Sequence, residues 1–261
     1  MMDLNQKENA YKKIKEMIVD GDLQMGKNVS DRLLSKKLKL GLTPVRDALN
    51  LLKSEDLVIS YPKKGTFVFE LSSKLFFDIF ESRRIFETYG LKTSNNLNHN
   101  LLVIREEEIL DKMSVSINEK DYLSYARLDS EFHECFILGT ENDVFTKLYR
   151  NLEPKIATIR NTINLNLSEF NTKESFKMHK KIIKYIKNEN IDKSIELLDD
   201  HIFVWYNKVF KLTSNMKLDL KWIKNVQVNL SAVERRTSTL IKRRSVKKEY
   251  QVAWLLKAIT L

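Results

Sequence analysis

The chain has 261 residues, enough for one large domain or two ordinary ones, and carries a formal charge of +10. Its three prolines and six glycines are few for this length and favour a mainly α-helical protein. A single cysteine excludes an internal disulfide framework, and a polar N-terminus without long apolar runs argues against a signal peptide or a membrane span, so we expect a soluble cytoplasmic protein.

The positive charge is concentrated at the C-terminal end. Residues 1–72 carry 13 basic and 10 acidic side chains, a net charge of +3, and residues 73–216 carry 21 and 22, a net charge of −1. Residues 217–261 carry 11 and 3, a net charge of +8. An argument for DNA binding in the first part of the chain must therefore rest on motifs and not on overall charge.

Residues 1–70 have the pattern of a winged helix-turn-helix domain. The first predicted helix spans residues 8–19 and the second spans about 31–38, with Ser30 as its N-cap and an inward face formed by Leu33, Leu34 and Leu38. A third helix follows, with Thr43 as the predicted N-cap and Pro44 as the first helical residue.

Two short strands follow the third helix. The first contains Leu57, Val58 and Ile59, the turn is Tyr61-Pro62-Lys63-Lys64-Gly65, and the second strand begins at Thr66. Three helices and a hairpin in this order are typical of a protein whose third helix reads DNA and whose hairpin contacts the backbone beside it.

The sequence of residues 10–69 closely resembles the DNA-binding domain of the GntR family of bacterial regulators. The segments that carry the resemblance are AYKKIKEMIVDGDLQMGKNVS, SDRLLSKKL, TPVRDAL and GTFV. It implies that Arg32, Thr43 and Arg46 contact operator bases or phosphates and that Gly65 lies at the tip of the wing near the minor groove. Lys63 and Lys64 are expected to bind phosphates.

The chain departs from this family at Gly41-Leu42, where Ser-Arg is common. One arginine that contacts DNA in other family members is therefore missing. The affinity for DNA or the operator sequence is expected to differ from theirs. The alternative interpretation of Arg32 and Arg46 is that they are ordinary solvated helix residues.

From Leu71 to residue 213 the sequence predicts about six long amphipathic helices with short polar connections and no strands, as in an antiparallel bundle. This arrangement resembles the FCD effector domain that follows the DNA-binding domain in one branch of GntR regulators.

Four polar residues fall on apolar helix faces in this second part. Asp129 and His133 are four residues apart on one helix, and His179 and His201 lie on two later helices. One carboxylate and three imidazoles that converge in a bundle interior suit a divalent transition metal such as zinc or nickel. The alternative is that each histidine is a hydrogen-bonded core residue. The same four positions match the metal-binding pattern of FCD domains, and this match favours the metal site.

The resemblance also implies an effector site beside the metal. Arg83 matches a family arginine on the first bundle helix and is expected to pair with a carboxylate of a small organic acid, although an ordinary salt bridge is the alternative. No nucleophile is paired with a base in this domain, so we expect no catalysis there.

The segment 214–261 is expected to be a basic helical tail and not an independent domain. From Leu218 onward it resembles the N-terminal leader of eukaryotic-type deoxyribose-phosphate aldolase, in LDLKWI, NVQVN, AVERR and VKKEYQVAWLLKAIT, without that enzyme's catalytic barrel. The hypotheses are a fusion or assembly remnant, which we favour, or a helix that packs on the bundle or binds phosphate.

Together these patterns predict a mainly α-helical, homodimeric transcription regulator that binds a palindromic operator in double-stranded DNA. Its expected parts are a winged helix-turn-helix domain (1–70), an FCD-type bundle (71–213) and the tail (214–261). The alternatives are an aldolase-related enzyme fragment and a metal-binding helical protein without DNA function.

Overall fold

The structure is a computed structural model that describes residues 2–163 and 169–213. The predicted tail helix, and the whole segment 214–261, lie outside the described residues. In the part that is described, no helix is long and apolar enough to cross a membrane.

The N-terminal part contains three helices and a small sheet. The elements are α1 (Met2–Val19), β1 (Asn28–Val29), α2 (Asp31–Leu38), α3 (Leu42–Ser54), β2 (Val58–Tyr61) and β3 (Gly65–Val68). The antiparallel sheet has the order β1-β3-β2, and Tyr61 pairs with Gly65 at the tip of the hairpin. The winged helix-turn-helix fold is therefore confirmed, with the addition of β1, which the sequence did not predict.

The start of α2 was predicted correctly, and the start of α3 was not. The hydroxyl of Ser30 accepts a hydrogen bond from the backbone N–H of Leu33, as an N-cap does. The N-cap of α3 is Gly41, which makes no side-chain cap bond, so Thr43 is the second helical residue and not the cap. Pro44 is still tolerated, because no helical partner is needed for an N–H in the first turn.

The side chain of Leu33 was also assigned to the wrong side of α2, since it is 70% exposed. Helix α2 has only eight residues and packs mainly on α3, so Leu34 is its one fully buried residue, and Leu38 is half-buried.

The core of the winged helix domain continues into the second half of the chain. Ile14 and Ile18 of α1 and Leu52 of α3 are completely buried. The same cluster includes Phe76 and Ile159 from the helices that follow. The N-terminal part therefore shares apolar contacts with the helical part.

The helical part consists of α4 (Ser73–Asn118), α5 (Tyr122–Leu138), α6 (Asp143–Ile163), α7 (Glu169–Lys187) and α8 (Ile191–Thr213). Helix α4 is interrupted at Asn98, which has φ −153° and ψ 77°. Asn98 accepts a hydrogen bond from the backbone N–H of Leu101 and so caps the second segment. The described bundle therefore has six helical segments, as predicted.

A second apolar cluster fills the middle of the bundle. It is formed by buried side chains from α4, α5, α7 and α8, among them Phe80, Phe132, Phe136, Ile183 and Leu198. The four polar residues singled out by the sequence lie among these helices.

Candidate metal centre and nucleic-acid interface

Asp129, His133, His179 and His201 meet inside the bundle. Helix α5 supplies the first two residues, and α7 and α8 supply one histidine each. All four residues are at most 9% exposed, and one donor atom from each lies within 4.8 Å of a donor atom from every other. The structure therefore brings together the predicted metal-ligating set.

The distances between the donor atoms suit a shared ion. Nε2 of His179 lies 3.1 Å from Nε2 of His201 and 3.6 Å from Oδ1 of Asp129. Two imidazole nitrogens that bind one zinc ion at about 2.1 Å lie about 3.0 to 3.4 Å apart, for angles between octahedral and tetrahedral. The observed separation of the two nitrogens falls in this interval.

The protonation states also suit metal binding. Burial lowers the pKa of His179 to about 3, and burial together with the neighbouring imidazoles lowers the pKa of His201 well below its ordinary value. Both rings are therefore neutral near pH 7 and have a lone pair to offer. Burial alone would raise the pKa of Asp129, but the guanidinium of Arg160 beside it lowers it, so this carboxylate is charged.

Two residues that the sequence analysis missed hold the ligands in place. Glu87 of α4 is completely buried, and its Oε2 lies 2.7 Å from Nδ1 of His133. Arg160 of α6 donates to Oδ2 of Asp129 and to the hydroxyl of Ser130. An outer carboxylate on a histidine and a fixed ligand carboxylate are what metal sites use to orient their ligands.

The unsatisfied buried atoms give an independent test of the fit. Among the described residues, both ring nitrogens of His133 and Nδ1 of His179 are buried without a hydrogen-bond partner, and Nδ1 of His133 lies 2.7 Å from Oε2 of Glu87. Since Nδ1 of His133 faces Glu87, its Nε2 is the nitrogen left for a ligand role. A buried unpartnered imidazole nitrogen is costly, and a bound cation would remove that cost for His133. The residues present therefore fit a divalent metal.

Arg83, the predicted effector residue, lies beside this centre but is only 2% exposed. Its Nε donates to Oε1 of Glu87 at 2.7 Å, and its guanidinium lies over the ring of Trp205 at 5.2 Å. The hydroxyl of Tyr149 donates to the same Glu87 oxygen at 2.9 Å. In this structure the carboxylate that Arg83 pairs with is therefore an internal one.

The predicted DNA-contacting residues are exposed on the surface of the winged helix domain. Arg46 of α3 lines a groove of about 580 Å³ together with Lys63, Lys64 and Gly65 of the hairpin. Arg32 and Thr43 are exposed but do not line this groove. The structure thus brings four of the six residues to one groove between the third helix and the wing.

Two further residues of this groove were not anticipated. Oδ2 of Asp31 accepts a hydrogen bond from Nε of Arg46 at 2.6 Å, and this contact lowers the pKa of Asp31. Asn28 of β1 reaches the tip of the hairpin, where a Cβ on Gly65 would lie 2.8 Å from its Nδ2. The sequence offered no signal for Asn28, because β1 forms only by pairing with β3.

A winged helix-turn-helix joined to a helical bundle with a metal-competent interior defines a class of two-domain regulators, and comparison with known proteins agrees. Residues 6–68 match the family described as bacterial regulatory proteins of the gntR family, and residues 78–203 match the FCD domain. The chain belongs to the GntR family and carries an FCD domain. This is a family of transcription regulators and not of enzymes.

Individual relatives show how far the similarity extends. The gluconate operon transcriptional repressor of Bacillus licheniformis is 28% identical over 137 residues, which is 52% of this chain and 56% of that protein. The chain thus matches little more than half the length of this relative. A GntR transcriptional regulator from Rhodococcus sp. RHA1 has the same fold, with a TM-score of 0.70 and 17% identity over 79% of this chain and 98% of its own.

The resemblance to an aldolase is also found, but it is short. Deoxyribose-phosphate aldolase of Mus musculus is 64% identical over 44 residues, which is 17% of this chain and 14% of the enzyme. A match to one seventh of an enzyme does not bring its activity to this chain.

Proposed function

We propose that this protein is a transcription regulator of the cytoplasm that binds operator DNA through its winged helix domain and holds a divalent metal in its helical domain. The observation that carries the proposal is the presence, in one chain, of an exposed groove between α3 and the wing and a buried cluster of one aspartate and three histidines. The groove would supply contacts to DNA, and the cluster would supply a place where a ligand acts on the protein.

In the DNA-binding part, each residue has a separate role. Arg46 would read a base edge, because Asp31 occupies its Nε and leaves the two terminal nitrogens for a bidentate contact. Lys63 and Lys64 would bind phosphates, and Gly65 would allow the wing backbone to approach the minor groove. Arg32 and Thr43 would contact DNA outside the groove.

In the helical part, Asp129, His133, His179 and His201 would hold the metal, with zinc or nickel as the ions that best suit three imidazoles and one carboxylate. A metal there supplies a positive centre for an anionic ligand. A small organic acid would bind beside it, and Arg83 would pair with that acid in place of Glu87.

The proposal includes a homodimer on a palindromic site. Four large apolar side chains on α4 and α6 are more than half exposed, namely Ile85, Tyr89, Val144 and Leu148. Phe145 contacts both Phe86 and Tyr89, so the two helices present one continuous apolar surface. A second copy that packs its α4 and α6 against this surface would place two winged helix domains on one DNA duplex.

The test combines metal analysis with selection of DNA. The purified protein should contain about one divalent transition metal per chain and should enrich a palindromic sequence from a random pool. His179→Ala should lose the metal, whereas His99→Ala, a half-buried histidine that faces Asn95, should retain it. Protein without metal, or a pool without an enriched sequence, would refute the corresponding half of the proposal.

A further inference from the structure

The two helices that carry Asp129 and its arginine partner both reach the same point of the DNA-binding domain. Asn161 follows Arg160 directly on α6, and its Nδ2 donates to the backbone carbonyl of Val19, the last residue of α1, at 2.9 Å. Arg127 precedes Asp129 by two residues on α5, and its Nη2 donates to Asp20 at 2.8 Å. The C-terminal end of α1 is therefore bound to both helices, to α6 through Asn161 and to α5 through Arg127.

Inside the bundle, the same two helices are joined by Arg160. This residue is only 6% exposed, and its side chain spans from α6 to α5. It donates to Asp129 Oδ2, to the carbonyl of Ala126 at 2.8 Å and to the hydroxyl of Ser130 at 2.6 Å. A buried guanidinium with three acceptors fixes the relative position of the two backbones, because moving either helix would leave a buried charge without its partners.

The end of α1 is in turn connected to the recognition helix. Ile14 and Ile18 of α1 and Leu52 of α3 are completely buried in one apolar cluster, which also contains Ile159 of α6. A second contact from α6, between Nζ of Lys155 and Asp56 at 3.7 Å, reaches the residues just after α3. A shift of α6 relative to α5 would therefore also displace the C-terminal end of α3.

From these contacts we propose that Arg160 is a positioning residue that links Asp129 to the DNA-binding domain. Asn161 and Arg127 are the two residues through which this link reaches α1. The inference rests on the proposed function, since it assigns the route by which an occupied cluster alters DNA binding. It concerns Asp129 because its two oxygens face different charged groups: Oδ1 faces His179, and Oδ2 faces Arg160.

The physical reason for the coupling is electrostatic. Asp129 and Arg160 neutralise each other when no other cation is near. When Asp129 also serves a divalent cation through Oδ1, the attraction of its carboxylate for Arg160 is reduced, and the guanidinium is repelled by the added charge. The contact that fixes α5 to α6 then has a different strength, which changes how firmly Asn161 and Arg127 hold α1. Two ligands are coupled when each changes the same structural element.

The experiment measures DNA affinity with and without zinc for the parent and four variants of the full chain. The selected operator is titrated by fluorescence anisotropy in zinc and in chelator, and the ratio of the two affinities is the coupling factor. For an allosteric protein this factor is about 5 to 150. Asn161→Ala and Arg127→Ala should each bring the factor several-fold closer to one, and the double variant should bring it to within about twofold of one. Asn161→Ala and Arg127→Ala should each bind zinc with the affinity of the parent.

Arg150→Ala is the matched control. Arg150 of α6 pairs with Glu134 of α5 at 2.8 Å, and its side-chain exposure of 61% is close to the 56% of Arg127. It joins the same two helices, and its ion pair is with α5 and not with α1. This variant should retain the coupling factor of the parent.

Hydrogen exchange gives a second readout. The amides of Gly21 and Leu23 close the turn after α1 by bonding to the carbonyls of Ile18 and Met17. Their exchange rates should differ between the zinc-loaded and metal-free parent, and this difference should disappear in Asn161→Ala. Arg160→Gln, where it folds, should lose the difference as well.

The outcomes separate the inference from the proposed function. A parent that binds no zinc or no DNA refutes the proposed function and the inference with it. A parent that binds both and shows coupling, with the same coupling in Asn161→Ala and Arg127→Ala, overturns the inference and leaves the proposed function in place. Loss of coupling in Arg150→Ala to the same extent would also overturn it, because any ion pair between α5 and α6 would then serve.

Discussion

The exchange of Glu87 for glutamine tests whether the buried charges of the bundle are arranged as the structure shows. The substitution keeps the size and shape of the side chain and removes its negative charge. Glu87 is completely buried and accepts hydrogen bonds from Nε of Arg83 at 2.7 Å and from the hydroxyl of Tyr149 at 2.9 Å. Without its charge, the guanidinium of Arg83, which is 2% exposed, loses its paired carboxylate.

Two routes give the size of the effect. Removing one partner of a buried ion pair costs about 3 to 5 kcal/mol, since the other charge remains buried and unpaired. Burial alone would raise the pKa of Glu87, but Arg83 and His133 outweigh it and lower the pKa from 4.5 to about 2. At about 1.4 kcal/mol for each pKa unit, this shift corresponds to about 3 kcal/mol of stability. Both routes indicate that Glu87→Gln lowers the free energy of unfolding by about 3 kcal/mol.

The sign of the pH dependence follows from the direction of the shift. A carboxyl group whose pKa is lower in the folded protein stabilises it above the unfolded pKa of about 4.5, and this stabilisation is lost as the pH falls towards 2. The difference between parent and Glu87→Gln should therefore be full at pH 7 and should shrink in acid.

Glu106 provides the matched control, because it is also a completely buried glutamate of α4. Burial raises its pKa well above the ordinary value, so its carboxyl group resists ionisation. Glutamine at this position removes no paired charge, and we expect Glu106→Gln to change stability by less than about 1 kcal/mol at pH 7.

The assay is urea unfolding of the metal-free proteins, in the presence of a chelator, followed by circular dichroism at pH 7 and at pH 4. Removing the metal keeps the loss of a bound ion from adding to the effect. If Glu87→Gln proved as stable as the parent, or if Glu106→Gln were destabilised to the same degree, the assignment of a paired buried charge to Glu87 and not to Glu106 would be refuted.

Three further predictions concern the winged helix domain and the tail. Gly65→Ala should distort the wing and lower both stability and DNA affinity, because Gly65 has φ +103° and a Cβ would meet Asn28; unchanged melting and binding would contradict this. Arg46→Ala should cost about 1 to 3 kcal/mol of operator binding and relax specificity, whereas Lys63→Ala should weaken all sequences alike in anisotropy titrations. Truncation after Met216 should retain metal and operator binding and remove salt-sensitive, sequence-independent affinity; a truncated protein that does not fold would show an integrated tail.

The cluster of one aspartate and three histidines was predictable because its members occupy apolar helix faces. A spacing of four residues places Asp129 and His133 on one side of α5, and the apolar neighbours of His179 and His201 orient these residues inward. That the three helices bring their donor atoms within 4.8 Å is a property of the tertiary packing. From the sequence, only the resemblance to the metal-binding pattern of FCD domains predicted this convergence of the donor atoms.

The supporting residues could not be predicted in the same way. Arg83 and Glu87 are four residues apart on a helix, a spacing that is also typical of solvent-exposed ion pairs. Arg160 follows apolar residues on α6 but finds Asp129 on a different helix, so that its partner is 31 positions away in the sequence. Whether a charged residue on a helix faces solvent or a buried partner depends on the neighbouring helices, and the sequence pattern of one helix does not contain this information.

The helix starts show a related limit. Thr43 followed by Pro44 has the composition of an N-terminal cap, and the structure nevertheless starts α3 after Gly41. Helix α2 ends at Leu38 with Lys39 as its C-cap in the left-handed region, at φ 55°, and the chain is helical again from Leu42. The geometry of the preceding turn outweighs the local preference of one side chain.

The balance of buried charges supports an anionic effector for the proposed site. Asp129 pairs with Arg160, and Glu87 pairs with Arg83, so that two carboxylates and two guanidinium groups already neutralise each other inside the bundle. The pKa values of His179 and His201 are lowered by burial, and both rings are neutral. A divalent cation held by these residues would therefore bring its full charge into a region of low dielectric constant, where an unbalanced charge is costly. A carboxylate ligand reduces that charge and a neutral ligand does not, and for this reason we infer that the effector is an acid.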